Sequence, residues 1–230
     1  MATVSVVIPA AGAGMRFATP ENKILQPLAG RAIFLRTIDL FAARHDVCQI
    51  LLVLSDRDIE TVTRRYGEQL AGANVSLAGG GPTRAQSVRN ALARVDEAAA
   101  LVCVHDAVRP CVTRAEIDAV FAAAEQTGAA ILAGPVHGTV KQVSVESLIE
   151  RTVCREGLWQ AQTPQVFDKA LLRAAYARTI DAVTDDAQVV EAAGHAITVV
   201  PGQATNIKIT TPADLALAEA ILRARPAGRT

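Results

Sequence analysis

Val4-Ser5-Val6-Val7-Ile8-Pro9-Ala10-Ala11-Gly12-Ala13-Gly14-Met15-Arg16 sets a β-branched apolar run directly against a loop of small residues. The run at residues 4–8 has the composition of a buried strand. Ligands of open α/β sheets bind beyond the carboxyl ends of the strands, so the loop stands where a site is expected. Its small residues let backbone N–H groups come close to phosphate oxygens.

Working outward, short apolar runs alternate with helical patterns. Ile33, Leu35, Ile38, Leu40 and Phe41 recur at helical spacing across residues 32–44. Residues 49–54 read as a second strand, with Asp56 as the cap of the following helix. A short strand at 75–78 runs into Gly79-Gly80-Gly81-Pro82, where Pro82 is expected in the first turn of a helix reaching about residue 94. Residues 101–104 form a strand ending in His105-Asp106, and Thr113 with Glu116 has the capping-box pattern. Residues 129–133 form another strand. Repeated β-α units of this kind imply an α/β fold with a doubly wound, mostly parallel sheet and right-handed crossovers.

The alternation breaks after Val136. Residues 139–145 and 149–153 read as two strands without a helix, an arm projecting at about 136–156 that would contact a partner subunit. Beyond it come a helix capped by Asp168, another starting near Thr184, and strands at 196–200 and 206–209. The last helix opens with Thr211-Pro212-Ala213-Asp214, which joins an N-cap Thr, Pro at N1 and an early acid. No internal repeat or linker interrupts the chain, so a single domain over residues 1–230, plus the arm, is expected.

Bulk composition narrows the function. Of 230 residues, 50% are hydrophobic and only 3% aromatic, which suits buried strands covered by Ala-rich helices. The formal net charge is zero and the cations are scattered, unlike the basic stripe that nucleic acids require. Cys48, Cys103, Cys111 and Cys154 form no C-x-x-C pair and read as small reduced hydrophobes. No stretch reaches the ~18 apolar residues of a membrane span. A soluble, cytoplasmic protein is expected.

The first loop fails two familiar readings. A Walker loop needs Gly-Lys-[Ser/Thr], yet Lys23 follows Asn22 and precedes Ile24. A dinucleotide fingerprint needs a small residue where Phe17 stands and a helix starting within the motif, which Pro20 and Asn22 oppose. What remains is a long loop with two cations, Arg16 and Lys23, or else an ordinary glycine turn with solvated charges. A phosphate monoester is already anionic, so as a nucleophile it needs no general base. The barrier lies in bringing anion against anion and in charge building on phosphorus and leaving pyrophosphate, which fixed cations and a metal ion relieve. Nucleotidyl transfer fits this inventory.

Four segments carry a resemblance: the 9–23 loop, Val104-His105-Asp106-Ala107-Val108-Arg109-Pro110, Gly157-Leu158-Trp159 with Thr163-Pro164-Gln165, and Asn206-Ile207-Lys208-Ile209-Thr210. Together, in order and across essentially the whole chain, they resemble the 2-C-methyl-D-erythritol 4-phosphate cytidylyltransferase family of the non-mevalonate isoprenoid pathway. The resemblance implies a seven-stranded Rossmann-like nucleotidyltransferase fold, a homodimer joined through the arm, and attack of a sugar phosphate on the α-phosphorus of CTP. It makes Arg16 and Lys23 the transition-state stabilisers. Pro9, Ala10, Ala11, Gly12, Ala13, Gly14, Gly80, Gly81, Arg84, Ser87, Asp106 and Ala107 would hold the nucleotide. Arg109, Thr139, Arg155, Thr163, Thr184 and Lys208 would hold the acceptor, with Arg155 acting in trans. Mg²⁺, or another divalent cation, is expected with the triphosphate, and Asp106 is a candidate ligand.

Two departures stand out. The family usually reads Pro-Lys-Gln where this chain has Asn22-Lys23-Ile24, and Pro82 replaces a residue that is often polar. Relatives with a fused downstream cyclase exist, and a sequence ending at Thr230 is expected to lack that activity. Plainer readings accompany each residue. Asp106 could cap a turn, Arg155 could be a solvated hairpin residue, and Lys208 could lie on a solvated strand opposite Ile207 and Ile209. His105 and Trp159 read as packing residues. The acceptor could instead be ribitol 5-phosphate or another polyol phosphate, and a non-catalytic nucleotide-binding regulator is the remaining alternative.

Overall fold

A computed structural model describes residues 2–12, 17, 21–178 and 183–225. The first strand, β1 (Val4–Pro9), leads through a 3₁₀ turn (Lys23–Leu25) and a small ladder, β2 (Pro27–Leu28) and β3 (Arg31–Ala32), into α1 (Ile33–Ala42). Then follow β4 (Val47–Leu54), α2 (Asp56–Ala71), β5 (Val75–Gly79), α3 (Arg84–Leu92), β6 (Leu101–Val104), α4 (Arg114–Thr127) and β7 (Ala129–Pro135). After the arm strands β8 (Val140–Val143) and β9 (Ile149–Val153) come β10 (Trp159–Asp168), α5 (Lys169–Tyr176), α6 (Asp186–Ala192), β11 (Thr198–Pro201) and α7 (Pro212–Ala224).

The main sheet has seven strands in the order β11-β7-β10-β6-β1-β4-β5. Every neighbouring pair is parallel except those made by β10, which runs antiparallel to both β6 and β7. Side chains alternate across a strand, and both faces are apolar. Val6, Ile8, Ile50 and Leu52 pack with α1 and α4, whereas Val7, Leu51 and Val53 pack with α3 and α5. The chain builds from β1 to β4 and β5 on one side, then crosses to β6 on the other. The switch point therefore lies at the carboxyl ends of β1 and β6.

Several expectations are corrected. Ser55, not Asp56, is the N-cap of α2, its hydroxyl accepting from the Asp58 N–H. Thr83 caps α3 in a capping box with Gln86, which leaves Pro82 outside the helix. The ten-residue β10 occupies a stretch in which no strand was expected, and it carries Pro164 although Pro is excluded from regular central strands. It fits because the register shifts between Ala161 and Gln165, so Pro164 lies in a bulge. Residues 206–209 are no ladder strand. Asn206 turns inward and is as buried as Ile209, breaking the alternation expected there.

Candidate active site

A cavity of about 390 Å³ opens at the switch point. One wall is Pro9, Ala10, Ala11 and Gly12 at the end of β1, and another is Gly81, Pro82, Thr83, Arg84 and Ser87 around the start of α3. Asp106, Ala107 and Val108 after β6, with Lys23 and Lys208, complete it. The two glycine-rich segments touch. A Cβ on Gly80 would sit 2.5 Å from the Ala11 Cβ, so only glycine allows this approach. Ser87 Oγ accepts from the Gly81 N–H at 3.0 Å and donates to the Thr83 carbonyl at 2.9 Å, which fixes the second segment on α3. The lining carries Lys23, Arg84 and Lys208 against one carboxylate, an excess of positive charge suited to a polyanion.

Asp106 is the centre of this charge. Lys208 Nζ lies 2.8 Å from its Oδ2, Arg109 Nε 3.4 Å from the same oxygen, and Arg84 Nε 3.6 Å from Oδ1. Burial works to raise the Asp106 pKa, but Arg84, Lys208 and Arg109 outweigh it and hold the carboxyl below its usual range. Arg84 bridges inward as well, 2.7 Å from the buried Asp186 at the start of α6. Burial opposes the Arg84 charge, yet Asp186 and Asp106 together raise its pKa. Tyr176 donates to the other Asp186 oxygen, and burial, with Asp186 beside it, pushes the phenol up.

The bulge in β10 supports Asp106 from behind. The Asp106 N–H donates to Thr163 Oγ1 at 3.1 Å, and that hydroxyl lies 3.1 Å from His105 Nδ1. His105 Nε2 lies 3.1 Å from the Arg109 carbonyl, a partner that requires Nε2 to carry the proton. Both ring nitrogens are thus engaged in the neutral form. Burial depresses the imidazole to about 4. Next to Thr163, Gln162 Oε1 accepts from Asn206 Nδ2 at 3.0 Å, and Asn206 Nδ2 also reaches the Thr163 carbonyl at 2.9 Å. Gln162 Nε2 donates to the Gln203 carbonyl at 3.1 Å. Arg109 donates to the Asn206 carbonyl at 2.7 Å. A Cβ on Gly202 would fall 2.5 Å from Gln162 Oε1, so any other residue there would have to displace the bonded Gln162 amide. Asp106 and Lys208 are therefore both referenced to one bulge, through Thr163 and Asn206.

The candidate residues divide by position. Pro9, Ala10, Ala11, Gly12, Lys23, Gly81, Arg84, Ser87, Asp106, Ala107 and Lys208 share the cavity, with Gly80 packed at its edge. Arg109 and Thr163 lie behind Asp106. Thr184 bonds Gln188 beside α6, outside the lining. Thr139 and Arg155 are on the exposed arm, where Arg155 donates to the His137 carbonyl. Arg16, Ala13 and Gly14 lie outside the described residues. Sequence reasoning missed Gln162 and Asn206. A polar pair flanking Thr163-Pro164 and preceding Lys208 was the available signal. No group of three or more His, Cys, Asp or Glu that could hold a metal occurs among the described residues, so Asp106 is a single carboxylate donor.

Residues 4–224 match the family described as IspD: 2-C-methyl-D-erythritol 4-phosphate cytidylyltransferase. The chain is 43% identical to the 2-C-methyl-D-erythritol 4-phosphate cytidylyltransferase of Rhodopirellula baltica, over 96% of this chain and 95% of the relative. It is 42% identical to that of Dechloromonas aromatica, over 95% and 97% respectively. Among solved structures, the enzyme of the same description from Thermus thermophilus superposes with a TM-score of 0.78 at 36% identity, covering 96% of this chain and 99% of that one. The Francisella tularensis structure gives 0.81 at 31%, covering 95% and 99%.

Proposed function

The chain belongs to the 2-C-methyl-D-erythritol 4-phosphate cytidylyltransferase family, and from that premise we propose how its cavity performs the transfer. The 4-phosphate of methylerythritol attacks the α-phosphorus of CTP, pyrophosphate leaves, and 4-diphosphocytidyl-2-C-methyl-D-erythritol forms. The observation that carries this reading is the cation-lined cavity at the switch point, walled by two glycine-rich segments.

The Ala10–Gly12 and Gly80–Gly81 segments form the wall that receives the nucleotide. The N–H groups of Ala10, Gly80 and Gly81 are held by the Val53 carbonyl, the Leu54 carbonyl and Ser87 Oγ, so backbone donation to it falls to Ala11 and Gly12. Lys23 and Arg16 stabilise the charge that develops on the α-phosphate and the leaving pyrophosphate. Lys208 sits between Asp106 and open cavity, placed to meet the incoming phosphate. His105 takes no proton in the reaction, since it is buried, neutral and committed on both nitrogens. A divalent cation suits the site on donor chemistry: Mg²⁺ commonly takes one or two carboxylates and completes its shell from substrate phosphates and water. Asp106 would hold it, and the ion would neutralise triphosphate charge.

The arm belongs to a homodimer in this reading. Val143, Val145, Leu148 and Ile149 are exposed on it, Val145 at 96%, and Trp159 at its base is 44% exposed. Apolar side chains concentrated on a two-stranded projection favour burial against a second copy. Thr139 and Arg155 would then reach the partner's cavity. No described helix is long and apolar enough to cross a membrane. All four cysteines are free, in keeping with a reducing cytoplasm.

The test is pyrophosphate release from CTP with 2-C-methyl-D-erythritol 4-phosphate and, in parallel, ribitol 5-phosphate. Turnover with the first, at a kcat/KM at least tenfold above the second, is expected. Turnover with ribitol 5-phosphate alone would refute the acceptor assignment, and no release with either would refute the transfer itself.

A further inference from the structure

Asn22 is one of the residues where this chain departs from the usual family pattern, and its side chain is buried rather than solvated. Its Nδ2 lies 3.3 Å from the Ala10 carbonyl, 3.3 Å from the Gly12 carbonyl and 2.9 Å from Asp58 Oδ2. Its Oδ1 accepts from the Ile24 N–H at 3.2 Å, capping the 3₁₀ turn that starts at Lys23. Asp58 is itself fixed, accepting from Ser55 Oγ at 2.7 Å at the start of α2. One amide thus joins the exit of β1, the Gly12 peptide, the turn bearing Lys23 and the first turn of α2. Proline at this position would supply neither the donor nor the acceptor.

We propose that Asn22 is a positioning residue for the nucleotide half of the site: it sets the Ala10–Gly12 backbone and Lys23 at a fixed separation, with Asp58 as its anchor. The inference rests on the reading that this cavity takes CTP. Ala10 and Gly12 have their carbonyls drawn towards Asn22, which orients the adjoining peptides at the cavity wall. Lys23 is placed by the same side chain through the turn, while its Nζ donates to the Ile209 carbonyl at 3.1 Å. An anion spanning the wall and the lysine gains most when neither must be ordered on binding.

The acceptor-facing groups hang from the β10 bulge, not from Asn22, so the two substrates should respond differently. Asn22→Ala should raise the KM for CTP about tenfold, and the Kd for CTP from equilibrium dialysis in parallel, with the acceptor KM within twofold of wild type. Asn22→Asp keeps the acceptor for the Ile24 N–H but turns a carboxylate towards two carbonyls and Asp58. Its KM for CTP should rise by about thirtyfold or more. Adding Asp58→Asn restores a donor between the two side chains and should recover at least about threefold of that loss. Should the Asn22 variants fail to fold, Asp58→Ala, which removes the anchor and its Ser55 Oγ contact but keeps the backbone N–H that Ser55 caps, should still raise the KM for CTP about threefold.

Equal rises in both KM values, an unchanged KM for CTP, or no recovery in the Asn22→Asp/Asp58→Asn double variant would overturn the proposal. These outcomes are separable from failure of the functional reading, which would appear as a wild-type protein that neither binds CTP nor releases pyrophosphate.

Discussion

Asp106 is held by Lys208, Arg109, Arg84 and the Thr163 hydroxyl, whereas the arm sets Val143, Val145, Leu148 and Ile149 in solvent. In the first region charge is pre-positioned by buried neighbours, so little reorganisation is needed when an anion arrives. In the second, apolar surface stands exposed, and the polar residues Thr139 and Arg155 are exposed and lie outside the lining of the switch-point cavity. Under the proposed function, the difference is that of a nucleotide site preassembled within one chain and an acceptor site whose arm residues stand apart from it. A second copy would bring the two together.

The largest effect is expected where charge meets the reacting phosphates. Lys23→Ala should lower kcat by about 10²–10³-fold in the pyrophosphate assay, and a change within threefold would remove Lys23 from the reaction. Next is the support behind Asp106. Asn206→Asp places a carboxylate against Gln162 Oε1 and the Thr163 carbonyl in a buried site. It should cost about 3 kcal/mol of stability in urea unfolding. The same region carries a pH signature. His105 titrates near 4 when folded because it is buried, and near 6.5 when unfolded. The unfolded chain therefore binds more protons in that window, and stability falls as pH drops through it. About 2 kcal/mol should be lost between pH 7 and pH 5, and His105→Gln should erase most of that loss. The smallest effect belongs to the arm. Arg155→Ala should raise the acceptor KM about tenfold with the KM for CTP unchanged, the loss of one charge-assisted contact.

The same contrast separates what was legible in the sequence from what was not. Strands whose burial is continuous, such as Val4–Pro9 and Leu101–Val104, announce themselves as apolar runs, and the capping box of Thr113 and Glu116 is local chemistry. The loop from Pro9 to Gly12 and Lys23 stand out from the end of the first strand and Asp106 from the family resemblance, and the structure gathers them. β10 was hidden because its bulge is polar: Gln162, Thr163 and Gln165 are buried yet satisfied by partners distant in sequence. Periodicity registers apolar repetition and misses burial that rests on hydrogen bonds. Lys208 was found by motif, but its placement on a strand was wrong for the same reason, since Asn206 turns inward to bond the bulge. Asn22 stood out as a departure, while its role depends on Asp58, a helix away.

Mixing defective copies tests most directly whether the reaction centre is divided between one chain's cavity and its neighbour's arm. Lys23→Ala and Arg155→Ala proteins, each assayed alone at low acceptor concentration and then after subunit exchange, form heterodimers in which one site has both residues intact. With random exchange half the dimers are mixed, and about a quarter of wild-type activity should return. Activity equal to the mean of the two separate variants would contradict the divided site and place Arg155 in its own chain's cavity or outside the reaction altogether.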